Sequence, residues 1–239
     1  VKELFHASAE ERKAHLVSIT GIAGIGKSRL AWEFYKYFDG IVEIVWWHRG
    51  RCLAYGEGVT YWALADMVRM RCQIAEDDEP GQILDKLRST LSEHLLDADE
   101  RRFVERGLAQ LLGVGESETA ERQELFAAWR LFFERLADSN PTVLVFEDLQ
   151  WADASLLDFV EYLLEWSRSH PLYVITLARP ELLEKRPTWG AGQRSFTSIY
   201  PFYKSRDEAS TTALSTVLQW WVESGWVGLA ILFSGGVWC

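Results

Sequence analysis

The sequence predicts an α/β fold in which a parallel, doubly wound β-sheet carries helices on both faces. Short apolar segments alternate along the chain with segments of helical periodicity, which is the pattern of strands joined by crossover helices. A glycine-rich turn also joins the first apolar segment directly to the first helix. The 239 residues are 48% hydrophobic and 25% charged, so the chain is long and apolar enough to bury a sizeable core.

The first predicted elements surround the glycine-rich turn. After a charged lead-in, the apolar run at 15–20 predicts a buried strand. Residues 27–38 predict a helix because large apolar side chains recur there every four positions. The β-branched and aromatic segment 41–49 predicts the second strand, which leads into an irregular loop.

A helical insertion is expected between the second strand and the third. Residues 60–71 predict one helix, and three more helical patterns fill the insertion at about 77–138. A loop is expected at 139–141, because Pro141 cannot continue a helix and disfavours helical geometry in the residue before it.

The second half of the chain predicts the central strand and two further strands. Residues 142–146 are uniformly apolar, as a strand must be when helices cover both of its faces. Asp153 or Ser155 is expected to cap a helix that runs to about residue 169. Apolar runs at 172–178 and 196–200 predict a fourth and a fifth strand, so we expect a five-stranded parallel sheet.

Composition restricts the classes of function. Lys and Arg number 25 against 35 Asp and Glu, which gives a formal net charge of −10. A surface of this sign repels polyphosphate chains, so we expect neither direct nucleic-acid binding nor membrane binding. The cysteines, Cys52, Cys72 and Cys239, match neither a disulfide framework nor a zinc site, which favours a reducing, cytoplasmic location. The chain opens on Val1, and we expect it to be a fragment of something longer.

The segment Gly21-Ile-Ala-Gly-Ile-Gly-Lys-Ser28 is a phosphate-binding loop. Its glycines let backbone N–H groups turn toward phosphate oxygens, and the helix that follows directs the positive end of its dipole to the same point. Lys27 would supply a cation for the β- and γ-phosphates, and the Ser28 hydroxyl would ligate magnesium. The residues predicted to bind nucleotide are Gly21, Gly24, Gly26, Lys27, Ser28 and Arg29.

Three further candidate residues follow the third and fourth strands. Glu147 and Asp148 end the predicted third strand, where one acid would hold magnesium and the other would orient or deprotonate the attacking water. Arg179 comes just after the fourth strand and could reach the γ-phosphate, because ligands bind at the carboxyl ends of parallel strands. The alternative, which has equal weight, is that Arg179 is a surface arginine beside Pro180 without a role in binding.

With these residues placed, the chain resembles a P-loop ATPase domain of the AAA and STAND groups. In particular it is similar to the origin-recognition-like AAA module found beside class III adenylate/guanylate cyclase domains or LuxR-type DNA-binding domains in large bacterial regulators. The resemblance covers roughly residues 4–200. It rests on Gly21-Ile-Ala-Gly-Ile-Gly-Lys-Ser-Arg-Leu30, on Trp47-His-Arg-Gly-Arg-Cys-Leu-Ala-Tyr-Gly-Glu-Gly58 with Tyr61-Trp-Ala-Leu64, on Phe146-Glu-Asp-Leu-Gln-Trp-Ala-Asp153 and on Ala178-Arg-Pro-Glu-Leu182.

The resemblance assigns roles to the candidate residues. It implies that Lys27 and Ser28 bind MgATP, that Glu147 and Asp148 are the paired acids, and that Arg179 is the sensor at the end of the fourth strand. The commoner order of the acids is Asp then Glu, so the reversed order leaves open which of them serves magnesium.

The resemblance also implies the domain organisation and the function. We expect a P-loop ATPase core at 1–200 and a divergent tail at 201–239, with the family's lid domain missing. The implied function is an ATP-binding switch that hydrolyses ATP slowly and controls a linked cyclase or DNA-binding domain. Such a module could also form homo-oligomers. A nucleotide-binding scaffold without hydrolysis is the main alternative. A small-molecule kinase is less favoured, because adjacent acids favour water as the acceptor.

Overall fold

A computed structural model describes residues 1–38, 44–54, 60–115 and 120–190. Its described strands form one parallel sheet in the order β1-β4-β3-β2. The sheet has four strands rather than the expected five, and the predicted fifth strand at 196–200 and the tail at 201–239 lie outside the described residues. The strands are β1 (His15–Thr20), β2 (Trp46–Arg51), β3 (Thr142–Glu147) and β4 (Leu172–Ala178).

The described residues also form eight α-helices and two short 3-10 turns. Between β2 and β3 lie four of these helices, which confirms the predicted helical insertion. Within the described ranges, no helix combines the length and the apolarity that crossing a membrane requires. The helices are α1 (Lys2–Glu11), α2 (Lys27–Phe38), α3 (Trp62–Arg71), α4 (Pro80–His94), α5 (Ala98–Leu111), α6 (Arg122–Ser139), α7 (Ala154–Trp166) and α8 (Leu182–Lys185), and the 3-10 turns are Leu149–Trp151 and Pro187–Gly190.

Helices cover both faces of the sheet, as a doubly wound fold requires. Alternate side chains of β3 point to opposite faces. Val143 and Val145 join Phe34 of α2 in one buried cluster, whereas Leu144 and Phe146 join the cluster formed by the helical insertion and α7. All four β3 side chains are fully buried, which explains why this strand is apolar without alternation.

Glycines allow two close approaches within the helical part of the fold. Gly50 of β2 lies so near α3 that an added Cβ would come within 1.9 Å of the Ala63 carbonyl oxygen. Gly107 of α5 faces Ala128 of α6, where an added Cβ would lie 2.5 Å from the alanine Cβ. The Trp129 indole N–H donates to the Gly107 carbonyl oxygen at 2.8 Å, so the α5–α6 contact also satisfies a buried polar group.

The observed bounds of β2 correct the prediction for that strand. It begins at Trp46, two residues into the described part of the predicted segment, and it continues to Arg51, whereas residues 41–43 of the prediction lie outside the described residues. Its extent is set by parallel pairing with β3, from Trp46 opposite Thr142 to Arg51 opposite Glu147. Pairing with a neighbour therefore outweighs the β-branched character of Ile44 and Val45, which lie before the strand.

Two helices also depart from the sequence prediction. The charged lead-in forms α1, which buries Phe5 against the sheet with 1% of its surface exposed. Helix α7 ends at Trp166 rather than near residue 169, and Ser167 directly after it is fully buried. The Ser167 hydroxyl donates to the buried Glu134 carboxylate at 2.8 Å, which ties the end of α7 to α6. Helix α6 runs through Ser139, the first residue of the predicted loop.

Candidate nucleotide-binding site

The carboxyl ends of the parallel strands bring the candidate residues to one edge of the sheet. Thr20 at the end of β1 pairs with Ala178 at the end of β4, and Arg51 pairs with Glu147 in the same way on β2 and β3. The phosphate loop is tied directly to the end of β4, because the Gly21 N–H donates to the Ala178 carbonyl oxygen at 3.2 Å. This edge is where open parallel sheets bind their ligands.

The phosphate loop has a backbone conformation that requires glycine. Gly24 and Gly26 have φ values of 78° and 104°, in the left-handed region that side chains with a Cβ rarely adopt. At Gly21 an added Cβ would lie 3.0 Å from a methyl group of Ile25. Residues 22–26 are exposed, and α2 begins at Lys27 immediately after the loop. The loop and the helix N-terminus are therefore both exposed to solvent, as phosphate binding requires.

Lys27 folds its side chain against the phosphate loop. Its ammonium group donates to the Gly21 carbonyl oxygen at 2.7 Å and to the Ile22 carbonyl oxygen at 3.0 Å. Burial lowers the pKa of Lys27, the Asp148 carboxylate opposes that shift, and the Arg179 guanidinium adds to it. The Gly21 carbonyl that Lys27 contacts belongs to the residue bonded to the end of β4, directly before Arg179, so Lys27 and Arg179 are placed at the same edge of the sheet.

Ser28 and Arg29 follow Lys27 in the first turn of α2. Both residues are exposed, and Ser28 directly follows Lys27 in the chain. The Arg29 guanidinium lies 3.9 Å from the Glu33 carboxylate one turn later, on the solvent side of the helix. The contact recorded for Arg29 therefore runs along the exposed surface of α2.

The two acids at the end of β3 differ in backbone conformation and in their contacts. Glu147 is the last residue of the strand, is partly buried, and its carbonyl oxygen accepts from the Cys52 N–H at 2.9 Å. Asp148 has a left-handed backbone, with φ of 55°, and begins the turn at 149–151. Its carboxylate accepts from the Arg51 Nε at 2.7 Å and from the Gln150 Nε2 at 3.4 Å. The hydrogen bond from Arg51 to Asp148 raises the pKa of Arg51.

Arg179 contacts the turn that follows Asp148. Its backbone N–H donates to the Gln150 Oε1 at 3.0 Å, and its guanidinium carbon lies 5.8 Å from the centre of the Trp151 ring. Gln150 is 6% exposed, whereas Trp151 is 47% exposed. Arg179 is therefore attached to the acid-bearing turn through its backbone and stands beside an exposed aromatic ring.

Arg51, Gln150 and Trp151 are parts of this site to which sequence reasoning assigned no role. Arg51 and Gln150 lie within the stretches that carry the resemblance, but their residue types alone do not predict these contacts. The useful signal for Arg51 is positional, because the last residue of a strand paired with the acid-bearing strand must lie next to the acids.

The donor atoms at this edge suit magnesium held together with a nucleotide. The Ser28 hydroxyl and the carboxylates of Glu147 and Asp148 are hard oxygen ligands. Within the described ranges, no group of three or more His, Cys, Asp and Glu residues forms a metal site made by protein alone. Magnesium bound with nucleotide usually needs only one or two carboxylates, because phosphate oxygens and waters complete its shell. When bound, it would neutralise charge that develops on the phosphate oxygens.

Comparison with known proteins agrees with this geometry. The sequence model of the AAA ATPase domain matches residues 1–175, a region that contains the phosphate loop, both acids and the helical insertion. No curated protein matches the chain. The match confirms the predicted α/β P-loop fold and the resemblance to AAA-type domains. Because the matched region is well over half of the 239 residues, the chain belongs to the AAA ATPase domain family.

Proposed function

We propose that this chain is an ATP-binding, magnesium-dependent ATPase module that hydrolyses ATP slowly and acts as a switch in a larger bacterial regulator. The observation that carries the proposal is the arrangement at one edge of the sheet, where the exposed phosphate loop is hydrogen-bonded to the end of β4 and Gln150 links Asp148 to Arg179. Membership of the AAA ATPase domain family supports nucleotide binding, with ATP as the expected nucleotide.

Nucleotide binding follows from the local charges rather than from the net charge. The formal net charge of −10 repels a triphosphate at long range. At the site, the Lys27 ammonium, the Arg179 guanidinium and the helix N-terminus offset this repulsion. The Lys27 ammonium now donates to two loop carbonyl oxygens, and phosphate oxygens would be stronger acceptors for the same protons.

Hydrolysis requires an acid that orients or deprotonates water, and Glu147 and Asp148 are the candidates. The Asp148 carboxylate is paired with the Arg51 guanidinium, which occupies a carboxylate oxygen that would otherwise be free to orient water. This contact favours slow rather than fast hydrolysis. It also supports the second candidate function, a module that binds nucleotide without hydrolysing it.

The switch role rests on the sequence resemblance to modules linked to cyclase or LuxR-type DNA-binding domains. In such a switch, the ATP and ADP states would differ in whether a γ-phosphate meets Lys27 and Arg179. Since Arg179 follows β4 directly, its response would be passed to the segment after that strand. The cytoplasmic location and homo-oligomer formation belong to the same proposal.

Phosphate release and nucleotide binding, measured with and without magnesium, test the proposal. The parent chain should bind MgATP and release phosphate, and Lys27→Ala should lose both because the loop loses its cation. Lys36→Ala is the matched control, since Lys36 lies on the same helix with its ammonium over the Trp32 ring, 3.5 Å from the ring centre. Equal phosphate release by the parent and Lys27→Ala would refute the ATPase function. Binding that depends on Lys27 without any release would favour the non-hydrolysing module.

A further inference from the structure

We propose that Gln150 is a positioning residue that couples the Asp148 carboxylate to the backbone of Arg179. The inference rests on the proposed ATPase function and adds to it a residue with no assigned role. Through this residue, the acid after β3 would respond to the state of the segment after β4.

The orientation of the Gln150 amide follows from its hydrogen bonds. Its Oε1 accepts from the Arg179 backbone N–H at 3.0 Å, a donor that only the oxygen end of the amide can satisfy. The Nε2 end then faces the Asp148 Oδ1, at 3.4 Å. Because Gln150 is 6% exposed, little water competes for these contacts.

The main chain of Gln150 is also fixed by the segment that follows β4. The Lys185 ammonium donates to the Gln150 carbonyl oxygen at 2.9 Å and to the Ala152 carbonyl oxygen at 3.1 Å. The turn itself is closed by the Trp151 N–H, which donates to the Asp148 carbonyl oxygen at 3.0 Å. Residues after β4 therefore hold Gln150 at its main chain, through Lys185, and at its side chain, through Arg179.

Glutamine suits this position because one amide group can accept and donate at the same time. The Asp148 carboxylate is held at one oxygen by Arg51 and at the other by Gln150. If the Arg179 backbone moves, the Gln150 side-chain amide would move with it. The hydrogen bond from the Gln150 Nε2 to the Asp148 Oδ1 would then change. A movement at the γ-phosphate sensor would thus alter the geometry of the acid without any contact between Arg179 and Asp148.

Two substitutions distinguish the roles of the two ends of the Gln150 amide. Gln150→Glu keeps the length and the acceptor for the Arg179 N–H, but it removes the donor to Asp148 and turns a negative charge toward it. Gln150→Leu removes both contacts at similar volume. We expect kcat for phosphate release to fall at least about tenfold in both variants, with KM for MgATP within about twofold of the parent, because the phosphate loop is untouched.

A matched control and a double-mutant cycle distinguish positioning from general damage. Gln82→Glu makes the same chemical change at the N-terminus of α4, where the side-chain oxygen still accepts from the Glu79 N–H, and it should leave kcat unchanged. In the Asp148→Asn background, Gln150→Glu should cause no further loss if it acts through Asp148. Full additivity of the two losses, or an unchanged kcat in Gln150→Glu, would overturn the proposal.

Amide hydrogen exchange gives a readout that does not depend on hydrolysis. The Arg179 amide should exchange faster in Gln150→Leu, which lacks the acceptor, and should stay protected in Gln150→Glu. Unchanged protection in Gln150→Leu would overturn the coupling whatever the hydrolysis rates are. Phosphate release that does not depend on Lys27 would instead refute the proposed function, and exchange alone would then decide whether Gln150 holds Arg179.

Discussion

Replacing Gly50 with alanine should destabilise the fold at the contact between β2 and α3. The added Cβ would lie 1.9 Å from the Ala63 carbonyl oxygen and 2.6 Å from its carbonyl carbon, both of them backbone atoms that no rotamer change can move. The strand and the helix would have to separate by about 1.5 Å to restore an ordinary contact. Such a shift would loosen the packing of Leu64, Met67 and Val68, which are fully buried on α3.

Overpacking of this kind costs typically about 1–3 kcal/mol, and we expect a loss of about 3 kcal/mol because the clash is with backbone. For a domain of this size the melting temperature would fall by about 6–12 °C. Circular dichroism during thermal and urea unfolding measures both quantities. The matched control is Gly81→Ala in α4, where nothing lies within 4 Å of an added Cβ, and which should be neutral or stabilising by up to about 1 kcal/mol. A parental unfolding midpoint for Gly50→Ala would refute the close approach of α3 to β2.

Three further changes test the fold and the site. Asp153→Ala should lower the free energy of unfolding by about 1 kcal/mol in urea titrations, because the Asp153 carboxylate accepts from the Leu156 N–H at the start of α7. Burial lowers the pKa of His48 to about 3, so His48 should contribute stability that is present above pH 6.5 and is lost as the pH falls toward 3, and His48→Leu should show a shallower loss in unfolding at graded pH. Arg51→Ala should raise phosphate release by up to about fivefold, since it frees the Asp148 carboxylate from an exposed ion pair, and a lower rate would contradict this role.

The elements that the sequence predicts correctly are those whose signals are local. The bounds of β1 and β4 follow from apolar runs that end in turns, and those of α2 follow from its periodicity after the phosphate loop. The phosphate loop itself is recognisable because its glycines are required by the backbone at particular positions. In each case the deciding interaction lies within the segment, so neighbouring residues are enough to predict it.

The elements that it misses depend on contacts between distant segments. The start of β2 is set by its register with β3, about 95 residues later in the chain, which no local pattern contains. Helix α1 has few apolar residues, and its formation depends on the cluster into which Phe5 packs. Arg51 and Gln150 acquire their roles only when parallel pairing brings the ends of β2, β3 and β4 together.

The same distinction explains how an acidic chain can build an anion site. The net charge of −10 describes the whole surface, and it argues against long polyphosphates. The site depends on which few charges the sheet edge places together. There the Arg51 guanidinium is paired with the Asp148 carboxylate. The Lys27 ammonium instead donates to neutral carbonyl oxygens, so it stays available to an anion. Parallel topology, rather than composition, therefore decides the local sign of charge that a nucleotide would meet.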